Sequence, residues 1–313
     1  MLDDVIGALA CPRCGAALTR AGPVLACTVL AGTALAGTAL VGTGGHAFDI
    51  ARQGYVSLLP PGGRGAQGDS AAMVAARADF LAAGHYAGLA GEIARAAAAV
   101  IPEGLPAGVT GAGVAAGDRA AAGYVVDVGA GPGYYLAAAL DQMPGWAGLA
   151  LDASKFALRR AARAHDRIGA VGADAWRRLP VADHAAAVVL NVFAPRNGAE
   201  LGRILQPSGR LLVVTPNAGH LGELVGPLEL LRVDPRKDER LTSTLSPHFE
   251  LAGRREYATA LRLDHRDIAA VVAMGPTAWH ADPATLAGRI RRLPGVMPVT
   301  VSVTLSTFRP AAR

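Results

Sequence analysis

The 313-residue sequence predicts an α/β fold, a Rossmann-like doubly wound sheet preceded by a zinc-ribbon-like module. Three observations predict it. From Tyr124 onward, continuous apolar runs alternate with helical ones, as expected for parallel strands buried on both faces and joined by crossover helices. The first of these runs leads into "VVDVGAGPGYY" (125–135), which puts glycines at a strand-to-helix turn. All three cysteines fall within the first 27 residues. They cannot form a closed disulfide set, and such clustering in a reducing compartment points to metal.

The module comes first, at residues 1–60. "CPRCG" (11–15) supplies Cys11 and Cys14, followed by Cys27 and, after a long gap, His46. Eighteen residues separate Cys27 from His46, and fifteen of them are the units "LAGTA", "LAGTA" and "LVGTG" (30–44). Removing those units leaves Cys-x3-His, which with Cys-x2-Cys makes a compact tetrahedral ligand set. Lengthening a flexible loop sixfold costs about 1.5 kcal/mol, whereas structural zinc contributes ~10–16 kcal/mol. The insertion is therefore expected to bulge outward and leave a structural site in place. "FDIARQGYVSLL" (48–59) alternates as a strand does.

A connector follows over residues 61–123. "PPGGRGAQGDS" (60–70) is a hinge, and Ser70 can cap a helix in which Met73, Val74, Phe80 and Leu81 share a face. A second helix is expected over 87–101, then a low-complexity linker over 102–123. The large domain, 124–313, continues with "GLALDA", the helix "KFALRRAARAH", "AVGAD", "AAAVVLNVFA", the helix "GAELGRIL" and "GRLLVVTP". "ATALRLD", a helix after His265 and "PVTVSVTLSTF" (298–308) complete it, the last suiting an antiparallel edge hairpin.

Composition excludes some classes. No strongly apolar run reaches the length of a membrane span, and no basic-then-apolar leader precedes "CPRC", so a cytoplasmic protein is expected. The net charge is +5, and only Lys155 and Lys237 are lysines. Arginine-dominated charge suits phosphate contact, but alanine-rich, arginine-rich composition also has a genomic explanation.

Gly129, Gly131 and Gly133 let the backbone turn and approach a ligand at a helix N-terminus. Acids at three successive strand ends narrow the ligand towards S-adenosylmethionine: Asp127 to orient the ammonium, Asp152 to accept the ribose hydroxyls, and Asp174 to accept the adenine amino group. "NVFAP" (191–195) is not the arrangement expected for amino-group methylation. Asn191 and Phe193 are candidates to contact and stack on a base, as are Trp279 and His280. No cysteine lies in the large domain, which argues against covalent pyrimidine C5 chemistry.

"CPRC" with Cys27 and His46, "HAFDIARQGYVSLL", "GDSAAMVAARADFLAAGHY", "VVDVGAGPGYY", "LDASKFALRRAARAH", "LNVFAPRN", "VVTPNAGHL" and "AMGPTAWH" (273–280) stand in this order. In this the chain resembles, almost end to end, the RlmA family of 23S rRNA guanine-N1 methyltransferases, most closely its actinomycete macrolide-resistance (tylosin-type) branch. The resemblance implies a class I S-adenosylmethionine-dependent methyltransferase domain. It also implies cofactor contacts from Tyr86, Gly131, Pro132 and His220, and zinc on Cys11, Cys14, Cys27 and His46. It implies an RNA-recognising N-terminal module, a homodimer, and a target hairpin (domain II, helix 35) lining the ribosomal exit tunnel. Arg52, Gln53, Tyr55 and Arg77 are candidates for RNA contact; the arginines of "RRAARAHDR" (159–167) read as a solvated helix face. Two alternatives stay open: a small-molecule methyltransferase with a merely structural module, and a non-catalytic RNA-binding zinc protein.

Overall fold

The computed structural model describes residues 2–27, 45–60, 68–100, 122–230, 243–275 and 282–311. The pentapeptide repeats, nearly all of the 102–123 linker, Trp279 and His280 lie outside the described residues.

The chain opens with a short helix α1 (Leu2–Val5) and a three-stranded antiparallel sheet of β1 (Thr19–Ala21), β2 (Val24–Ala26) and β3 (Ala47–Asp49). The strand read over 48–59 is broken. Ala51 to Gly54 form a turn, Gly54 at φ +86°, before β4 (Tyr55–Ser57). That conformation is open to glycine at no steric penalty, so the alternation hides a corner. Two helices follow, α2 (Ala71–Ala82) and α3 (Ala87–Ala98). Ser70 Oγ accepts from Met73 N at 3.3 Å, a cap on α2, and Met73, Val74, Phe80 and Leu81 are its buried face.

The large sheet is built from β5 (Tyr124–Val128), α4 (Tyr134–Asp141), β6 (Ala147–Asp152), α5 (Lys155–Ala161), β7 (Ile168–Gly172), β8 (Ala186–Val192), α6 (Gly198–Ile204) and β9 (Leu205–Pro216). After α7 (Gly222–Leu228) come β10 (Phe249–Asp264), α8 (His265–Ala273), α9 (Pro283–Ile290) and β11 (Val296–Pro310). The strand order is β10-β11-β9-β8-β5-β6-β7-β4. Strands β4 to β9 pair in parallel, while β11 runs antiparallel between β9 and β10. This is the class I methyltransferase order with one strand added beyond β7. The expected tail hairpin is β10–β11, with β10 at the edge.

The added strand is β4, from the Cys/His module, and its Tyr55, Val56 and Ser57 pair with Ala170, Val171 and Gly172. Helix α1 packs on the same side, where a Cβ on Gly169 would lie 2.2 Å from a Val5 methyl. One continuous apolar cluster therefore runs from Leu2, Val5, Leu9, Leu25 and Val56 into Val126, Leu149 and Val171 of the sheet. Each such buried side chain contributes about 1.5–3 kcal/mol, so the described part of the first 60 residues shares its core with the sheet. The arginine run is not all solvated. Arg167 donates to the carbonyls of Met143 and Trp146, both at 2.7 Å, and so caps the turn after α4.

Candidate active site and metal centre

Strand order reverses between β5 and β8, each of which has a parallel neighbour on its far side. In open α/β sheets this is where a crevice forms beyond the carboxyl ends of the strands. A cavity of about 270 Å³ lies there, lined by Gly129, Gly131 and Pro132 from the glycine turn and Asp127 and Asp152 from strand ends. Arg77 and Tyr86 close it from the α2–α3 hairpin, and Phe193 from the loop after β8. The glycines are required by the backbone. Gly129 stands at φ +79°, and a Cβ there would meet the Ala194 methyl at 2.5 Å. Gly131 stands at φ +55° and leaves the backbone open towards the cavity.

The carboxylates differ in their surroundings. Asp127 is 1% exposed, and neither of its oxygens has a hydrogen-bond partner among the described residues. Burial, with a smaller push from Asp152, raises its pKa to about 8. A buried carboxyl left this way matches a cationic ligand group such as an ammonium. Asp152 is held by Gly131 N–H at 2.9 Å and Ser154 N–H at 2.7 Å. Each of its oxygens keeps lone-pair capacity for a pair of hydroxyls. Glycine turn, orphaned acid and oriented acid together fit the adenosyl-amino-acid donor.

Other predicted residues take supporting positions. Gly133 begins α4 at φ +84° against Ala161, off the cavity wall. Asp174 accepts from Trp176 N–H at 2.9 Å and faces Arg177; its neighbours Ala173, Ala175 and Trp176 form the wall in its place. His220 stands behind the wall. Its Nε2 is 3.5 Å from the Tyr86 hydroxyl, its Nδ1 accepts from Ser302 N–H at 3.3 Å, and its ring centroid is 5.9 Å from that of Phe193. Asn191 is fully buried and does not reach the cavity. Its amide donates to the Val128 and Pro195 carbonyls and accepts from Arg196 Nε. It cannot contact a base in this arrangement; it holds the loop that presents Phe193. Phe193 itself has φ +54° and is 38% exposed, a strained conformation for a bulky residue that the fold must impose.

Arg77, read from sequence as an RNA contact, lies in the cavity wall. It pairs with Asp69 and donates to the Met274 carbonyl at 2.7 Å. Arg52, Gln53 and Tyr55 lie at the β3–β4 turn instead, with Arg52 exposed and Tyr55 partly buried against the core. Asp69 and Trp176 escaped the sequence reading. Asp69 sits in "GDS", where Ser70 drew attention as a cap. Trp176, 61% exposed, follows a strand-end acid by two residues, and that spacing is a legible signal.

At the far end of the module, the ligand atoms of Cys11, Cys14, Cys27 and His46 all lie within 4.8 Å of one another. Cys11 Sγ and Cys27 Sγ are each 3.5 Å from His46 Nδ1, and Cys14 Sγ is 3.5 Å from Cys27 Sγ. Tetrahedral zinc with its usual bond lengths needs edges of about 3.5–3.8 Å. The chemistry fits as well as the spacing. The Ala16 N–H lowers Cys14 to a pKa of about 7, and burial raises Cys27 to about 11, so binding a cation here releases protons. Cys27 and His46 face each other at the end of the β2–β3 ladder, Cys27 N–H bonded to His46 O at 3.1 Å. The repeats join two points that pairing already holds together.

No family model matches the chain. Its similarity to individual proteins is extensive. It is 46% identical to the 23S rRNA (guanine(748)-N(1))-methyltransferase of Streptomyces fradiae, over 99% of both chains. It is 49% identical, over 99% of this chain and 100% of the other, to a Micromonospora griseorubida protein provisionally named a 23S rRNA (guanine-N1)-methyltransferase. A Bacillus subtilis protein with the same provisional name is 28% identical over 87% of this chain and 86% of its own.

Proposed function

Because the chain belongs to the 23S rRNA (guanine-N1)-methyltransferase family, we propose that it methylates N1 of the 23S rRNA guanine corresponding to position 748, with S-adenosylmethionine as donor. The observation that carries this reading is the full-length likeness to the Streptomyces fradiae enzyme, joined to a cavity whose acids and glycine turn suit the donor. Bound there, the donor supplies an electrophilic methyl group. The protein's own part is positioning. Asp127 would hold the ammonium, Asp152 the ribose, and the backbone at Gly129 and Gly131 would give close approach. Guanine N1 carries a proton, so ionisation of the N1–O6 system must be favoured as the methyl arrives. A base in a stacked helix cannot reach such a recess and must be extruded. Phe193, held by Asn191 and backed by Tyr86 and His220, offers the exposed ring face to receive it.

The proposal extends to the rest of the chain. Residues 1–60 form the RNA-recognition module, with Arg52, Gln53 and Tyr55 displayed beside the zinc-suited cluster; 61–123 connect it to the methyltransferase domain at 124–313. The enzyme works in the cytoplasm, where its ribosomal substrate is, as a homodimer gripping a folded hairpin, and its product confers macrolide resistance. Among the described residues no helix is long and apolar enough to cross a membrane. Primer extension on 23S rRNA treated with enzyme and donor should stop at the guanine corresponding to 748. Methylation of a small metabolite with no modified rRNA would replace this reading.

A further inference from the structure

The donor's amino-acid end carries an ammonium and a carboxylate, and the cavity treats the two unequally. Three acids line it, Asp69, Asp127 and Asp152, with a single cation among the described lining residues, Arg77. Asp127 answers the ammonium. A carboxylate entering the same recess would meet only acidic side chains unless a cation stood at its end. Arg77 reaches there from α2 and lies over the glycine turn, its Nη1 3.7 Å from where a Cβ on Gly131 would be. Its Nη2 donates to Met274 O at 2.7 Å and its Nη1 to Asp69. A guanidinium has five N–H groups in a planar fork, so donors remain for a further acceptor. Asp69 is itself anchored, its carbonyl accepting from Ser154 Oγ at 2.6 Å, beside the Asp152 that would hold the ribose.

Building on the donor assignment above, we propose that Arg77 is the residue that binds the donor's carboxylate, and that Asp69 competes with the donor for the same guanidinium. Arg77 is thereby a specificity determinant for the complete amino-acid end, and the Asp69 pair tempers the affinity it confers.

The test is calorimetric binding, without RNA, of S-adenosylmethionine and of its decarboxylated analogue, which keeps the sulfonium and the ammonium. A charge-assisted contact of this kind corresponds to about 10- to 100-fold in affinity. Wild type should prefer the complete donor by about that factor, and R77M should erase the preference while binding the analogue no more weakly than wild type. D69N should tighten the complete donor several-fold and leave the analogue unchanged. R77K, which keeps the charge but not the planar fork, should fall between; it and D69N carry the test if R77M does not fold. Equal weakening of both ligands in R77M, with no effect of D69N, would show Arg77 to be only a tie between α2 and α8, and the proposal would be lost. Failure of wild type to bind either ligand would instead remove the donor assignment itself.

Discussion

Asp127 shows how a single residue can be costly for the fold and yet suited to the proposed site. Its carboxyl is buried without a partner, and its pKa of about 8 stands far above the ordinary 3.8. In the unfolded chain it ionises near 3.8, but in the fold it stays protonated until the pH approaches 8. The unfolded state therefore binds fewer protons over that window, and the group's contribution to stability is lost as pH rises through it. Replacing it with asparagine removes that pH-dependent term. The Tm of D127N relative to wild type should rise by at least about 2 °C between pH 5 and pH 8, while binding of S-adenosylhomocysteine falls more than about tenfold. A Tm difference flat across that range would mean that Asp127 ionises normally. Asn191 makes the complementary case. Its three hydrogen bonds hold the "NVFAPR" loop, so N191A should cost about 1–3 kcal/mol of stability. Turnover should fall through displacement of Phe193, with cofactor affinity little changed. Equal losses in both would place Asn191 in the donor site.

At the scale of elements, the β2–β3 hairpin explains how a zinc ligand set tolerates a fifteen-residue interruption. Ala26 pairs with Ala47, and Cys27 and His46 are the next residues along each strand. The ladder sets their separation whatever chain joins them. Excising 30–44 should thus leave one zinc per chain, with stability unchanged or raised by up to ~1.5 kcal/mol from the shorter loop. Loss of zinc after excision, measured by metal analysis, would show that the repeats help to hold the site. The glycine turn and the α2 cap were both plain in the sequence, since each is a local device whose residues are neighbours in the chain. The corner at Gly54 was not. Strand alternation carries on through it, and only the pairing of β4 with β7 shows where one strand ends and the next begins.

The whole molecule joins module and catalytic domain more tightly than a linker model would suggest. Strand β4 extends the large sheet, and Leu9 and Ala10 bridge to Pro180 and Val181. Chelation should therefore destabilise the entire protein: calorimetry should show a single transition that moves down as a unit when metal is removed, whereas two separable transitions would mean independent folding units. The sequence alone determined the doubly wound domain, the metal ligand set and the acids at strand ends. These are written as periodicity and as spacing within one stretch of chain, and local sterics translate them directly. Only the tertiary structure decided which of those residues face the cavity. It turned Asn191 inward, placed Asp174 under a turn and His220 behind Tyr86, and brought Arg77 and Asp69 from the connector to the cavity wall. Side-chain direction at such places depends on how helices and loops distant in sequence pack over the sheet, and no local pattern carries that information.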